Sequence, residues 1–166
     1  MLCIGTHELT LDEKKRLSIP AAIRNSMDPQ RDGTGFYIVL GERAGTLALY
    51  PNRYFWDYAD RTARELEPGD EQETFEQVFY SQCAELEVDK QGRVILPEHL
   101  VTAVNLGRTV CLTGARDHLL LWNKGEYEAF IRENRSQFRE MLKRARRGHA
   151  RMDVMGLPSG HGPGQG

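Results

Sequence analysis

A chain of 166 residues can hold one ordinary domain or two very small ones sharing a core, and its 40% hydrophobic and 28% charged content suits a packed, soluble fold. The net charge of −2 argues against a uniformly basic nucleic-acid binder, but acid gathers at Glu65, Glu67, Asp70, Glu71, Glu73 and Glu76, and base at Lys14-Lys15-Arg16 and from Lys143 to Arg151. No apolar run approaches the ~20 residues of a membrane span, and Met1-Leu2-Cys3-Ile4-Gly5 does not open like a signal peptide, so a cytoplasmic protein without membrane contact is expected.

Along the chain, Leu9 and Leu11 alternate with polar residues, a charged loop follows, and Leu17 and Ile19 alternate again. This pattern predicts two half-buried strands around a turn. Pro20 suits the first turn of a helix, which needs no N–H there, and Ala21-Ala22-Ile23-Arg24 continues that short helix. Residues 28–35 are rich in Pro and Gly and read as a loop; strands are expected over roughly 36–40 and 46–50. A helix from Pro51 or Asn52 puts Phe55, Ala59, Thr62, Ala63 and Leu66 on one face and ends at Pro68-Gly69. Asp70-x-x-Glu73 is a capping-box pattern for another short helix, with Phe75, Val78, Phe79 and Gln82 inward. Tyr54, Phe55, Trp56 and Tyr58 suit core and subunit interface better than a platform for stacking bases, and the acidic stretch 65–76 suits a solvated face.

The pattern then recurs. Leu86/Val88 and Val94/Leu96 flank a second charged loop, in which Gly92 can take a positive φ. Pro97 precedes the short helix Glu98-His99-Leu100-Val101, and strands are expected over 109–113 and 118–122. Asn123-x-x-Glu126 is a second capping box. Tyr127, Phe130, Ile131, Asn134, Phe138, Met141, Leu142 and Ala145 then follow at helical spacing, with Gly148 as the expected end and Lys143, Arg144, Arg146 and Arg147 complementing the C-terminal dipole. The basic run is read as a solvated helix end rather than a DNA arm. The Pro- and Gly-rich tail is expected to be disordered.

Laid against itself, the sequence shows a repeat. Asp12, Arg16 and Pro20 match Asp89, Arg93 and Pro97 at an offset of 77, and Ile38-Val39-Leu40 with Leu47 to Tyr50 matches Val110-Cys111-Leu112 with Leu119 to Trp122 at 72. The first copy thus has five extra residues, expected within 28–35. The organisation read from this is a first ββαββ repeat over 5–50, linker helices over 51–83, a second repeat over 84–122, a C-terminal amphipathic helix over 123–148 and a tail over 149–166.

Leu11-Asp-Glu-Lys-Lys-Arg-Leu-Ser-Ile-Pro20 and Val88-Asp-Lys-Gln-Gly-Arg-Val-Ile-Leu-Pro97 resemble the paired Asp-x-x-x-Arg elements of the MraZ family, tandem relatives of the AbrB and SpoVT swapped-hairpin fold. The resemblance covers about 5–142. It implies an α+β fold of two AbrB-like swapped-hairpin β-barrel repeats with linker helices and a long C-terminal helix. It further implies a transcriptional regulator of the division and cell-wall gene cluster, associated with the nucleoid, that binds double-stranded DNA repeats as a ring-shaped homo-oligomer. Where the family's first element carries a glycine, this chain has Lys15; at positive φ a lysine there is strained by roughly 1 kcal/mol.

On this reading the DNA-binding candidates are Arg16 and Arg93 as bidentate donors to guanine or phosphate, Lys14, Lys15 and Lys90 as phosphate contacts, and Arg24 just after the first loop. Asp12 and Asp89 are read as braces of their turns, since a carboxylate facing DNA would be repelled. For the two arginines, bracing and base contact both stay open. No catalytic, cofactor or metal site is expected: phosphate-loop, nucleophile-elbow and H-E-x-x-H patterns are missing, and Cys3, Cys83 and Cys111 are widely spaced. The alternative is an assembly or partner-binding protein, antitoxin-like, that uses the fold without specific DNA recognition.

Overall fold

The computed structural model describes residues 3–66 and 68–154, with side chains described as far as residue 146. The first repeat contributes β1 (Thr6–Thr10), β2 (Arg16–Ser18), α1 (Ala21–Ser26), β3 (Phe36–Leu40) and β4 (Thr46–Pro51). Two helices follow, α2 (Asn52–Arg64) and α3 (Asp70–Ser81). The second repeat gives β5 (Ala84–Leu86), β6 (Arg93–Ile95), α4 (Glu98–Ala103), β7 (Thr109–Gly114) and β8 (Leu119–Asn123), and α5 (Lys124–Val154) closes the described chain. The fold is therefore α+β, with wholly antiparallel strands.

Neither repeat completes its own sheet. The larger sheet runs β1-β7-β8-β4-β3-β5, and a separate ribbon pairs β2 with β6. The first strand of each repeat thus lies on the other repeat's third strand: Leu9 faces Val110, and Leu86 faces Phe36. In the ribbon Leu17 faces Val94, its own equivalent 77 positions on, so a pseudo-twofold axis passes between them.

The ladders correct the sequence alignment. Leu9 and Leu86 are equivalent, so their partners Val110 and Phe36 are too, at an offset of 74 rather than 72. Pro51 and Asn123, which face Phe36 and Val110, keep an offset of 72. Of the five extra residues, three fall before Phe36 and two in the hairpin turn between β3 and β4. Short apolar runs such as Ile38-Val39-Leu40 match equally well when slid by two, because the strand period is two.

The core follows from alternation. Leu17, Ile19, Phe36, Ile38, Leu47, Leu49, Leu96, Leu100, Leu112, Leu119 and Leu121 are each no more than 2% exposed and form one cluster between ribbon, short helices and sheet. The other face of the sheet, with Val39, Ala48 and Tyr50, is covered by Phe55 and Ala59 of α2. Tyr58 stacks on Tyr50 at 4.3 Å between ring centroids, and Phe79 joins from α3.

Several helix details differ from the pattern. Asp70 is the first residue of α3 after Gly69 and makes no side-chain cap; it sits with Glu71 and Glu73 in the first turn, where the dipole favours carboxylates. Val78, expected inward, is exposed, as is Trp56 of α2. The Asn123 carboxamide does not cap α5 but bridges to the α4–β7 loop, accepting from the Gly107 N–H at 2.6 Å and donating to the Asn105 carbonyl at 3.2 Å. The α5 helix runs on through Gly148 to Val154. Residues 149–154, expected to begin the disordered tail, are helical instead; the rest of the tail, from 155 on, and Glu67 lie outside the described residues. Compact packing ends at Tyr127, and the rest of α5 stands as its own unit. On it Ile131, Phe138, Met141 and Leu142 are exposed.

Because Leu17 is fully buried on the pseudo-axis while Ser18 is exposed beside it, their truncations separate sharply. Leu17→Ala is expected to lower the unfolding free energy by about 2–5 kcal/mol, and Ser18→Ala to leave it within about 0.5 kcal/mol, by urea titration followed by circular dichroism.

Candidate nucleic-acid interface

The ribbon has an inner and an outer side. Leu17 and Val94 face the core, so Arg16, Ser18, Arg93 and Ile95 are carried on the outside. Arg16 lies opposite Ile95, and Ser18 opposite Arg93. The two arginines thus occupy one short two-stranded surface, diagonally across it.

Each arginine is gripped by the aspartate four residues earlier. Asp12 accepts the backbone N–H of Lys14 at 2.9 Å and of Arg16 at 2.8 Å through Oδ1, and Arg16 Nε at 2.6 Å through Oδ2. Asp89 repeats this with Gln91 at 2.8 Å and Arg93 at 2.9 Å, while Arg93 Nε and Nη2 donate to Oδ2 at 3.0 and 2.9 Å. The carboxylates close the turns and fix the guanidinium planes. Both Nη groups of Arg16, and Nη1 of Arg93, have no partner among the described residues. These backbone and side-chain donors hold both carboxyls below the usual aspartate value of 3.8, with the Arg16 and Arg93 N–H groups the largest cause in each case.

Each loop needs a left-handed residue at its third position after the aspartate. Lys15 has φ 57° and Gly92 φ 78°. This conformation turns each carbonyl toward the other repeat: Leu96 N–H donates to Lys15 O, and Ile19 N–H to Gly92 O, both at 2.8 Å. At Gly92 a Cβ would come 2.6 Å from Arg24 Cζ and Nε. Arg24 thus lies over the second loop, its Nε donating to the Ile19 carbonyl at 3.0 Å, rather than over the loop that precedes it in sequence. The residue equivalent to Arg24 in the second repeat is the buried Val101.

The candidates therefore gather into two groups, one at each end of the ribbon. Lys14, Lys15 and Arg16 lie at one end; Lys90, Arg93 and Arg24 lie at the other. Lys14 and Lys90 are exposed and Lys15 is half-buried. Ser18 and Ile95 also belong to the outer face, and sequence reasoning missed them. Their signal was available: each is two residues beyond a candidate arginine on a strand. Among the described residues no three His, Cys, Asp or Glu side chains converge as a metal-holding group, and no helix is long and apolar enough to cross a membrane.

Fold and site define a class: tandem-repeat α+β proteins whose two copies share a ribbon flanked by aspartate-held arginines. A family model described as "MraZ protein, putative antitoxin-like" matches residues 79–147. A transcriptional regulator MraZ from Mycoplasmopsis pulmonis is 31% identical over 140 residues, 78% of this chain and 84% of that protein. Regulators of the same name from Leuconostoc citreum and Mycoplasmoides gallisepticum are 29% and 26% identical over 141 residues, covering 84% of this chain and 94% of each relative. The chain belongs to the MraZ family.

The loop geometry has two measurable consequences. Gly92→Ala is expected to cost at least about 1 kcal/mol, since the left-handed backbone penalises any Cβ and Arg24 must move. Lys15→Gly gains up to about 1 kcal/mol, the relief of roughly 1–2 kcal/mol of strain less the extra chain entropy of glycine. Thermal melts of the two variants check both signs. The second consequence concerns acid. A carboxyl whose folded pKa is depressed contributes stability above its unfolded value near 3.8 and loses it as pH falls through the folded value. The difference in Tm between the parent and Asp12→Asn/Asp89→Asn is therefore expected to narrow as pH drops below about 4.

Proposed function

We propose that this protein is a sequence-specific regulator of transcription that binds double-stranded promoter DNA through the outer face of the β2–β6 ribbon. Its target would be the promoter of the division and cell-wall gene cluster, and its setting the nucleoid in the cytoplasm. The observation that carries this reading is the pair Arg16 and Arg93, held by Asp12 and Asp89 on one exposed surface. The major groove, about 12 Å wide, admits a two-stranded ribbon, and arginine is the residue best suited to guanine O6 and N7. Lys14, Lys15 and Lys90 supply phosphate contacts at the ribbon ends, and Arg24 acts by holding the second loop in place. The names of the relatives, transcriptional regulators all, agree with this reading. So does the exchange of first strands between repeats, which supports a swapped-hairpin arrangement within one chain.

The functional unit is proposed to be a ring-shaped homo-oligomer, with the exposed stripe Ile131, Phe138, Met141 and Leu142 of α5 as part of its subunit contacts. No catalytic step is assigned. An antitoxin-like, partner-binding role is the second reading, favoured by the description of the matching family.

Fluorescence anisotropy with the chain's own upstream promoter, against a scrambled duplex and across a salt series, tests the proposal. The expected outcome is promoter-preferring binding that weakens steeply with salt and is lost in Arg16→Ala/Arg93→Ala at unchanged oligomeric state. Equal binding of both duplexes at low salt would overturn it and bring the partner-binding reading forward.

A further inference from the structure

The geometry points to Ile95 as a specificity-determining residue that packs against the 5-methyl group of a thymine, beside the base pair engaged by Arg16. This rests on the DNA-binding function proposed above. Ile95 is 65% exposed between Val94 and Leu96, both 1% exposed, so it stands on the outer side with Arg93. It lies directly opposite Arg16 in the ladder. Opposed Cβ atoms in such a pair are about 4.5–5.5 Å apart, within two base-pair steps of about 3.4 Å.

The repeat shows that the strand does not require an apolar residue there. The equivalent position in the first repeat is Ser18, also exposed, with the same backbone pairing. The outer face carries arginine, serine, arginine and isoleucine, so Ile95 has no second large apolar side chain on that face with which to form a protein-docking patch. In the major groove the thymine methyl is the one apolar group that base edges present. The ribbon therefore reads its two halves differently. The Arg16–Ile95 half selects a thymine next to its guanine, and the Arg93–Ser18 half tolerates other neighbours.

The test uses the full chain and a duplex selected by it from a random-sequence pool. Each thymine of that duplex is replaced in turn by deoxyuridine, which removes only the methyl group, and Kd is measured. One thymine in each stretch that a ribbon occupies is expected, when replaced singly, to weaken binding about fourfold, the effect of unburying one methyl-sized group. In Ile95→Ser the methyl and demethylated duplexes bind equally, while Ile95→Val keeps the discrimination; because the site is exposed, all three proteins are expected to melt alike. A selected site without thymine, no thymine sensitive to demethylation, or an undiminished methyl effect in Ile95→Ser overturns the inference while leaving the DNA-binding function standing. A pool from which no sequence is enriched overturns that function itself and this inference with it.

Discussion

The structure depends on a trade of backbone hydrogen bonds between two halves of one chain. The first strand of each repeat has its ladder on the other repeat, and the ribbon at the centre contains one strand from each. A buried peptide group without a partner costs as much as a lost hydrogen bond, so each half is satisfied only in the presence of the other. Leu17 and Val94, facing each other on the pseudo-axis and almost wholly buried, tie that exchange to the apolar core. The same pairing forces Arg16, Ser18, Arg93 and Ile95 outward. The proposed binding surface is thus the reverse side of the contact that joins the two repeats.

The two loops show how an approximate symmetry accommodates different residues. Both require a left-handed residue so that its carbonyl can reach across to the other repeat. Gly92 meets this requirement without strain, and its lack of a side chain leaves the space into which Arg24 lies. Lys15 meets it at a cost of about 1 kcal/mol, small beside the crossing bond from Leu96 and the burial around it. The second repeat's counterpart of Arg24 is Val101, which is drawn into the core, so no guanidinium from that repeat lies over the Lys15 loop. The result is one loop with an extra cation of its own and one with a cation lent by the other repeat.

The repeat, the α+β class and most strands were legible because they rest on local signals: alternation, proline before short helices, and the spacing of aspartate to arginine. Partner choice was not, since nothing in the spacing of Leu9 and Leu11 says whether their ladder lies on β3 or on β7. The capping boxes failed for a related reason. Asn123 has the right spacing, but the nearby Asn105–Gly107 loop offers its carboxamide both a donor and an acceptor, and tertiary bonds won over the local cap. Gly148 suits a helix stop, yet glycine inside a helix costs only about 1 kcal/mol, which the turns on either side absorb. At the candidate site, the cations were legible as residue types. Their division between the two ribbon ends, with Arg24 crossing to the other loop, was not.

Size sets a limit on what one chain can do at DNA. Three paired residues span about 7 Å, roughly two base-pair steps, and two arginines reading guanine contribute about 1–3 kcal/mol of discrimination each. Specific and non-specific DNA binding typically differ by about 4–10 kcal/mol, so the roughly 2–6 kcal/mol from a single ribbon reaches at most the lower half of that range. Phosphate contacts from the flanking lysines add affinity without adding sequence information. On the proposed function, selectivity would come from several ribbons acting on neighbouring stretches of DNA, where each later contact gains from the effective concentration set by the first. The overall charge of −2, with 24 acidic residues against 22 basic ones, agrees with such an arrangement: a chain without net positive charge gains little from attraction to arbitrary DNA, and on the proposed reading selection falls to the number and spacing of ribbons presented together.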